Sequence, residues 1–281
     1  MRRLSVAVLI SMSATVLAGC VEAPSEPGQA RTARPTPTMP RPTVRPTRPP
    51  QLVDAIEAAV LAKRTVAYEI TGRNGGDNGP TFAEVSGEYR FNSRNSVDFD
   101  AFLSLEDREG ETKKSEGIGV GSAFFLKPPP DSGLPRGKSW IRRDRDDWED
   151  PQVYRPLYNE AIRSVDGIQD WSMLAGAAKL KPIGRRTIGD VETTGHQARI
   201  NILDAMPKVD DGSRRVLSDL YAQGARSIGF TVWVDKDYLP RAVLVNIELK
   251  SRLMLLDVRY RGWGKQVTIA EPPAAQVWRR S

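Results

Sequence analysis

The side chain with the most chemistry to offer is Cys20, the only cysteine among 281 residues. It follows Leu17-Ala18-Gly19, and small residues at 18 and 19 leave its thiol open to a modifying enzyme. Elsewhere the supply is thin. His196 is the only histidine, which disfavours metal sites built from several histidines and leaves one base for any Ser-His-acid triad. No G-x-S-x-G elbow is present, and Thr194-Gly195-His196-Gln197 reads as the start of a strand, so a structural histidine is expected. Asp98 and Asp100 share one face of a strand and could imitate a carboxylate pair, but they fall on the polar side of the alternation, so a solvated face is expected. Gly117-Ile118-Gly119-Val120-Gly121 has the wrong spacing for a phosphate loop and leads into strand residues, so a bent strand or bulge is expected. Asp210-Asp211-Gly212 lacks the other ligands of a calcium loop and suits a helix start. No catalytic residue, metal ligand or cofactor site is assigned.

The surroundings of Cys20 give it a meaning. Arg2 and Arg3 precede an apolar run from Leu4 to Leu17, which is too short for a membrane span and has the layout of an export signal. Leu17-Ala18-Gly19-Cys20 resembles the lipobox of bacterial lipoprotein precursors, in which the thiol receives a diacylglyceryl group and the chain is cut before it. The alternative is an ordinary signal peptide with an incidental cysteine. General secretion is the expected route, since Arg2-Arg3 alone is not a full twin-arginine motif. With Cys20 acylated, no thiol or disulfide remains, and stability must come from a packed core.

Residues 22–50 hold nine prolines among many Thr and Arg. Such a segment cannot bury enough apolar surface to fold and favours extended conformations. It reads as a tether of on the order of 90 Å at full reach. Its arginines could touch anionic headgroups and its threonines could carry sugars; a plain spacer is the simpler reading. The net charge of +6 is concentrated before residue 51: residues 51–281 carry 34 basic and 33 acidic side chains. A near-neutral domain argues against a nucleic-acid partner.

Residues 51–281 open with a helix carrying Leu52, Val53, Ile56, Val60 and Leu61, and then turn to period-two alternation. Strands are expected around 66–70, 83–91, 97–105, 114–127 and 138–143, with the glycine-rich stretch 72–79 as a hairpin loop and Arg142–Asp147 as a charged loop. Helices are expected over 152–163 and 167–178. Strands over 179–188 and 193–203 flank a Gly189-Asp190 turn, and a helix with Val216, Leu217, Leu220 and Tyr221 ends at Gly224. Three long strands follow near 226–235, 240–251 and 253–262. Their inner faces are Phe230-Val232-Val234, Val243-Val245-Ile247-Leu249 and Met254-Leu256-Val258-Tyr260. About ten antiparallel strands and a few helices define an α+β domain, a curved sheet wrapped around helices. Large apolar groups, among them Tyr68, Tyr89, Phe99, Phe125, Trp140, Phe230, Trp233 and Tyr260, line the sheet as a filled core or as the wall of a cavity.

The order of elements and several local sequences resemble actinobacterial lipoproteins of the LppX/LprG type and, more distantly, the LolA-like lipoprotein carriers. The residues that carry this are the lipobox at Cys20, Lys138-Ser139-Trp140-Ile141, and Ile183-Gly184 through Thr194-Gly195-His196. The clearest match is Val232-Trp233-Val234-Asp235 with Tyr238-Leu239-Pro240-Arg241. It closes with Tyr260-Arg261-Gly262-Trp263-Gly264-Lys265 and Ile269-Ala270-Glu271-Pro272-Pro273, where the prolines are expected to stop the last edge strand. The resemblance implies a half-open β-barrel covered by helices, with an apolar pocket for acyl chains, and a non-enzymatic role in binding or moving lipids and lipoglycans. The proline-rich tether and the run near 142–150 depart from the pattern.

Taken together, the sequence predicts a lipoprotein signal over 1–19, an acylated Cys20 and disordered tether over 20–50, and one LolA-like domain over 51–281. The protein is expected on the outer face of the cell membrane, held by lipid and not by a spanning helix. Its cavity would be lined by Tyr68, Val85, Tyr89, Phe99, Leu103, Phe125, Phe230, Val232, Val245, Ile247, Leu256 and Tyr260. The other reading is a sensor or scaffold that binds another envelope protein through an exposed apolar patch.

Overall fold

The computed structural model describes residues 46–74, 82–93, 96–106, 109–130, 132–144, 172–250 and 252–279. Cys20, the export segment, most of the tether, the loop over 75–81 and the helix expected over 152–163 lie outside the described residues. Of the helix expected over 167–178, residues 172–178 are described, and only Ser172–Ala175 form a helical turn.

The first element is α1 (Pro49–Lys63). The two prolines expected to precede it form its first turn instead, where their fixed φ suits a helix and the missing N–H costs no bond. The Gln51 side chain accepts from the Arg48 N–H at 3.3 Å, closing the N-terminus. Arg64 ends the helix in the left-handed region (φ 66), and its carbonyl accepts from the Phe91 N–H at 2.6 Å.

Among the described residues, twelve strands form one unclosed sheet: β1 (Thr65–Asn74), β2 (Phe82–Ser93), β3 (Ser96–Glu106), β4 (Thr112–Val120), β5 (Ala123–Lys127), β6 (Trp140–Asp144), β7 (Lys181–Ile188), β8 (Val191–Asn201), β9 (Ser227–Val234), β10 (Pro240–Leu249), β11 (Arg252–Arg261) and β12 (Val277–Arg279). Their spatial order is β12-β6-β5-β4-β3-β2-β1-β11-β10-β9-β8-β7. The neighbours run antiparallel except β12, which lies parallel to β6. The alternating patterns thus become hairpins, and the α+β class with a curved, helix-covered antiparallel sheet holds.

Three details differ from expectation. The stretch 114–127 is two strands, because Gly121 at φ 57 turns β4 into β5. β11 is not an edge strand: it lies between β1 and β10, and it ends at Arg261, well before Pro272-Pro273. The segment after it crosses to the opposite side of the sheet and adds β12 beside β6. Three residues of parallel pairing leave no period for a sequence pattern to show.

On the inner face, residues from β1, β2, β3, β8, β9, β10 and β11 pack in one buried cluster with Leu52, Val53, Ile56 and Val60 of α1 and Leu217 of α2 (Asp211–Ala222). Asp210 caps α2, its Oδ1 accepting from the Ser213 N–H at 2.9 Å, as its helix-start reading requires. Gly224 follows the helix at φ 99, a conformation that only glycine adopts without strain.

Candidate functional site

The inner sheet face has two ends of different character. At the proximal end, where β1 starts and β11 stops, aromatic rings fill the space. Tyr68 and Tyr89 stack with centroids 4.0 Å apart and planes 7° from parallel. Trp263, after β11, lies 5.7 Å from Tyr260 and 6.2 Å from Phe91, and its indole N–H donates to the Pro240 carbonyl at 2.8 Å. Tyr68 reaches over Gly87 to donate its hydroxyl to the Asp100 carbonyl at 3.0 Å. A Cβ at Gly87 would stand 2.0 Å from that same carbonyl oxygen, so the close approach requires glycine. Burial raises the Tyr68 phenol well above its ordinary value, and the neighbouring Tyr89 adds to this. Burial does the same to Tyr260. This end is therefore uncharged and closed.

The distal end is where β1 stops at Asn74, β8 stops at Asn201, and β10 turns into β11. One inner row there runs Ala83–Gly72–Leu256–Val245–Phe230–Ala198 across five strand pairings. Ala83, Val245 and Leu256, with Met254 one step further out, are half-buried, while Phe230 and Ala198 are buried. The α2 residues Val216, Leu220 and Tyr221 are half-buried against the same cluster. A Cβ at Gly72 would touch the Leu256 side chain at 3.3 Å, so its absence gives Leu256 its room. The apolar surface that solvent partly reaches is thus a strip continuous with the core.

The expected cavity residues divide accordingly. Tyr68, Val85, Tyr89, Phe99, Leu103, Phe230, Val232, Ile247 and Tyr260 are buried in the main cluster, and Val245 and Leu256 are half-buried at its distal edge. Phe125 is a correction: it sits in a separate cluster with Ala123, Trp140, Val277 and the half-buried Ile118. Phe124 takes the inner place, 6.0 Å from Phe99. Both faces of β5 are covered, so Phe124 and Phe125 are equally apolar in sequence and alternation cannot tell inside from outside. The signal that could have separated them is Gly117, whose missing Cβ leaves space for the Phe124 ring at 3.3 Å.

Asp98 is also corrected. It is buried, not solvated, with Oδ2 accepting from Arg90 Nη2 at 2.7 Å and Oδ1 accepting from the Gly121 N–H at 2.9 Å. Burial alone would raise this carboxyl, but hydrogen bonds from Asn92, Gly121 and Arg90, with the Arg90 charge, hold it below the usual value. Asp100 is raised, because burial outweighs the bond its Oδ1 accepts from the Glu88 N–H at 2.6 Å. His196 is buried on β8, in register between Pro182 and Val232.

The turn between β9 and β10 is held by Asp235. Its Oδ1 accepts from the Asp237 and Leu239 N–H groups at 2.9 and 3.0 Å, and its Oδ2 accepts from Arg241 Nη2 at 2.7 Å. Tyr238 takes a positive φ of 62 there. On the outer face, the Arg186 guanidinium stacks over the Trp233 ring at 4.0 Å, and Gly195 makes room for the ring. The motif spanning Val232 to Arg241 is thus a set of structural contacts. Among the described residues, no three or more His, Cys, Asp or Glu side chains gather as a metal site would need, and no helix is long and apolar enough to cross a membrane.

Neither a family model nor a curated protein matches the sequence. Among solved structures, the chain is similar to the lipoprotein LppX of Mycobacterium tuberculosis, at 16% identity over 79% of this chain and 99% of that one, with a TM-score of 0.44. It is similar to LprF of Mycobacterium bovis at 11% identity over 81% of this chain and 99% of that one, with a TM-score of 0.45. The complex of MucA and MucB from Pseudomonas aeruginosa shares 14% identity over 81% of this chain and 59% of that one, with a TM-score of 0.34. The first two are of the actinobacterial lipoprotein type that the sequence resembles. At these identities and scores, the strand order and register described above define the fold.

Proposed function

We propose that the protein is a lipid-anchored envelope lipoprotein that holds acyl chains against the distal inner face of its sheet, without breaking bonds. One observation carries this reading: the half-buried strip of Ala83, Val245, Met254 and Leu256 runs unbroken into the core beneath α1 and α2. An alkyl chain laid on it would gain about 0.8 kcal/mol for each CH₂ removed from water. No charged side chain stands in that inner row, so affinity should follow chain length and not salt. The anchor rests on Cys20 and its lipobox. One acyl chain holds a protein only marginally in a membrane, while two or three hold it stably.

The test is extraction of the purified protein followed by mass spectrometry, with uptake of a fluorescent fatty acid as a second readout. Recovered lipid and saturable uptake that tightens with chain length are expected. Repeated recovery without lipid, no uptake, and a stable protein partner pulled from envelope extracts would replace this reading with the scaffold one.

A further inference from the structure

Two cations meet where α2 ends over the inner face. Lys250 follows the last residue of β10, and its stem lies along Gly224: Cδ and Cε would each stand 3.1 Å from a Cβ placed there. Two residues beyond Gly224, just before β9, the Arg226 guanidinium stacks over the Tyr221 ring at 4.2 Å. Its Nη1 donates to the Tyr221 and Ala225 carbonyls at 3.2 and 3.0 Å, which fixes the guanidinium plane. Tyr221 is half-buried against the same core cluster as Val245, Met254 and Leu256. The two cations thus stand at the distal rim of the apolar strip, on the side that α2 covers.

The last carbonyls of a helix favour a cation, which accounts for Arg226 Nη1. It does not account for Nε and Nη2 on the other edge of that guanidinium, or for a second cation beside it. Among the described residues, neither Arg226 nor Lys250 pairs with a carboxylate. The acids on the adjoining elements are turned elsewhere. Asp219 is on the exposed side of α2, and Asp211 pairs with Arg214. Glu248 faces out between the inward Ile247 and Leu249, and Asp257 binds Arg259. Asp204, exposed after β8, has its N–H on the Asn201 side chain and pairs with neither cation.

The proximal end is closed and uncharged, so a guest whose chain lies on the strip leaves its polar head at the distal rim. We propose that the protein selects amphiphiles with an anionic head, a carboxylate or a phosphate, held between Arg226 and Lys250. This rests on the acyl-chain reading above and names the class of cargo. Nε and Nη2 of Arg226 form one edge that suits two oxygens of a single head, and Lys250 adds a point charge. Chain length alone still governs an uncharged guest; salt weakens only the headgroup contact of a charged one.

The test uses residues 20–281 carrying Cys20→Ser, which removes the acylation site. Calorimetric titration compares laurate, dodecyl phosphate and dodecanol, which share one chain length and differ in the head. The two anions should bind about fivefold tighter than dodecanol at low salt, and the gap should narrow at high salt. Arg226→Gln with Lys250→Gln should erase the gap and leave dodecanol binding as it was. Lys250→Gln alone, in an exposed turn, should remove part of the gap with an unchanged thermal melt. The proposal is overturned if dodecanol binds the parent as tightly as the anions, or if the double variant keeps the preference; acyl-chain holding survives both results. Binding of none of the three would remove the acyl-chain reading and this one with it. Inorganic phosphate alone should not displace laurate; displacement at equal concentration would make the rim a site for free anions and overturn the cargo assignment.

Discussion

Arg90 and Asp98 face each other across β2 and β3, with Nε at 3.1 Å and Nη2 at 2.7 Å from the same carboxylate oxygen. The other oxygen holds the Gly121 turn, and the Arg90 guanidinium also reaches the Ile269 carbonyl at 3.4 Å. One carboxylate thus ties β2, β3, the β4–β5 turn and the segment that follows β11.

Asp98→Ala should lower stability by about 2–4 kcal/mol in urea titration, because it leaves the Gly121 N–H without its acceptor and the Arg90 charge without its carboxylate. The folded carboxyl titrates below its unfolded value of about 4. Its contribution is therefore present above that value and lost as pH falls through the lowered folded one. An unchanged urea midpoint at pH 7 would refute the assignment.

Asp100 works in the opposite direction. Its carboxyl is raised by burial, and Glu88 beside it is raised by burial and by Asp100. Both are penalised when charged, so stability should rise as pH falls from neutral towards their raised values, and then decline as Asp98 protonates. Asp100→Asn keeps an acceptor for the Glu88 N–H and should flatten the rise. Urea midpoints at several pH values would show it.

Gly87→Ala should destabilise by about 3 kcal/mol or more, since its Cβ would meet the Asp100 carbonyl oxygen at 2.0 Å. Gly212→Ala is the control. Its Cβ would meet only the end of the Asp210 side chain at 3.3 Å, and the change should fall within about 1 kcal/mol of neutral. Thermal melts of the pair would separate them.

Tyr68 and Tyr260 should stay protonated well above pH 10 while the fold persists. Their raised values mean that stability is intact below about pH 10 and is lost as pH rises towards the folded values. Absorbance at 295 nm should then show a late step coinciding with loss of circular dichroism. Tyr68→Phe and Tyr260→Phe should each reduce its amplitude. An early, reversible titration of all tyrosines in the folded protein would contradict the sealed proximal end.

Leu256→Asp puts a charge in the half-buried inner strip. Fatty-acid uptake should fall at least roughly tenfold, while Leu256→Met, of similar volume, should keep it. Equal uptake by all three proteins in a fluorescence titration would place the ligand elsewhere.

The sequence makes the hairpins legible because most strands have one wet face. The alternation of Tyr68 with Glu69, or of Leu103 with Ser104, assigns inside and outside directly. It falls silent where both faces are covered, as at Phe124 and Phe125. It misleads at Asp98, where a polar position is buried and paired with Arg90 and the Gly121 N–H. Strand order is a non-local matter: nothing near Tyr68 announces that its neighbour is Tyr260. Which candidate residues stay within reach of solvent depends on α1 and α2, so Val245 and Leu256 cannot be told from Val232 and Val258 by pattern alone.

The pairing of β1 with β11 joins early and late parts of the chain, Tyr68 with Tyr260 and Gly72 with Leu256. The distal strip straddles that joint, with Ala83 on one side and Leu256, Met254 and Val245 on the other. A guest resting there would touch both halves at once. Occupancy and assembly are then one equilibrium, and cargo would act as a clasp that raises the melting temperature in proportion to the logarithm of its free concentration.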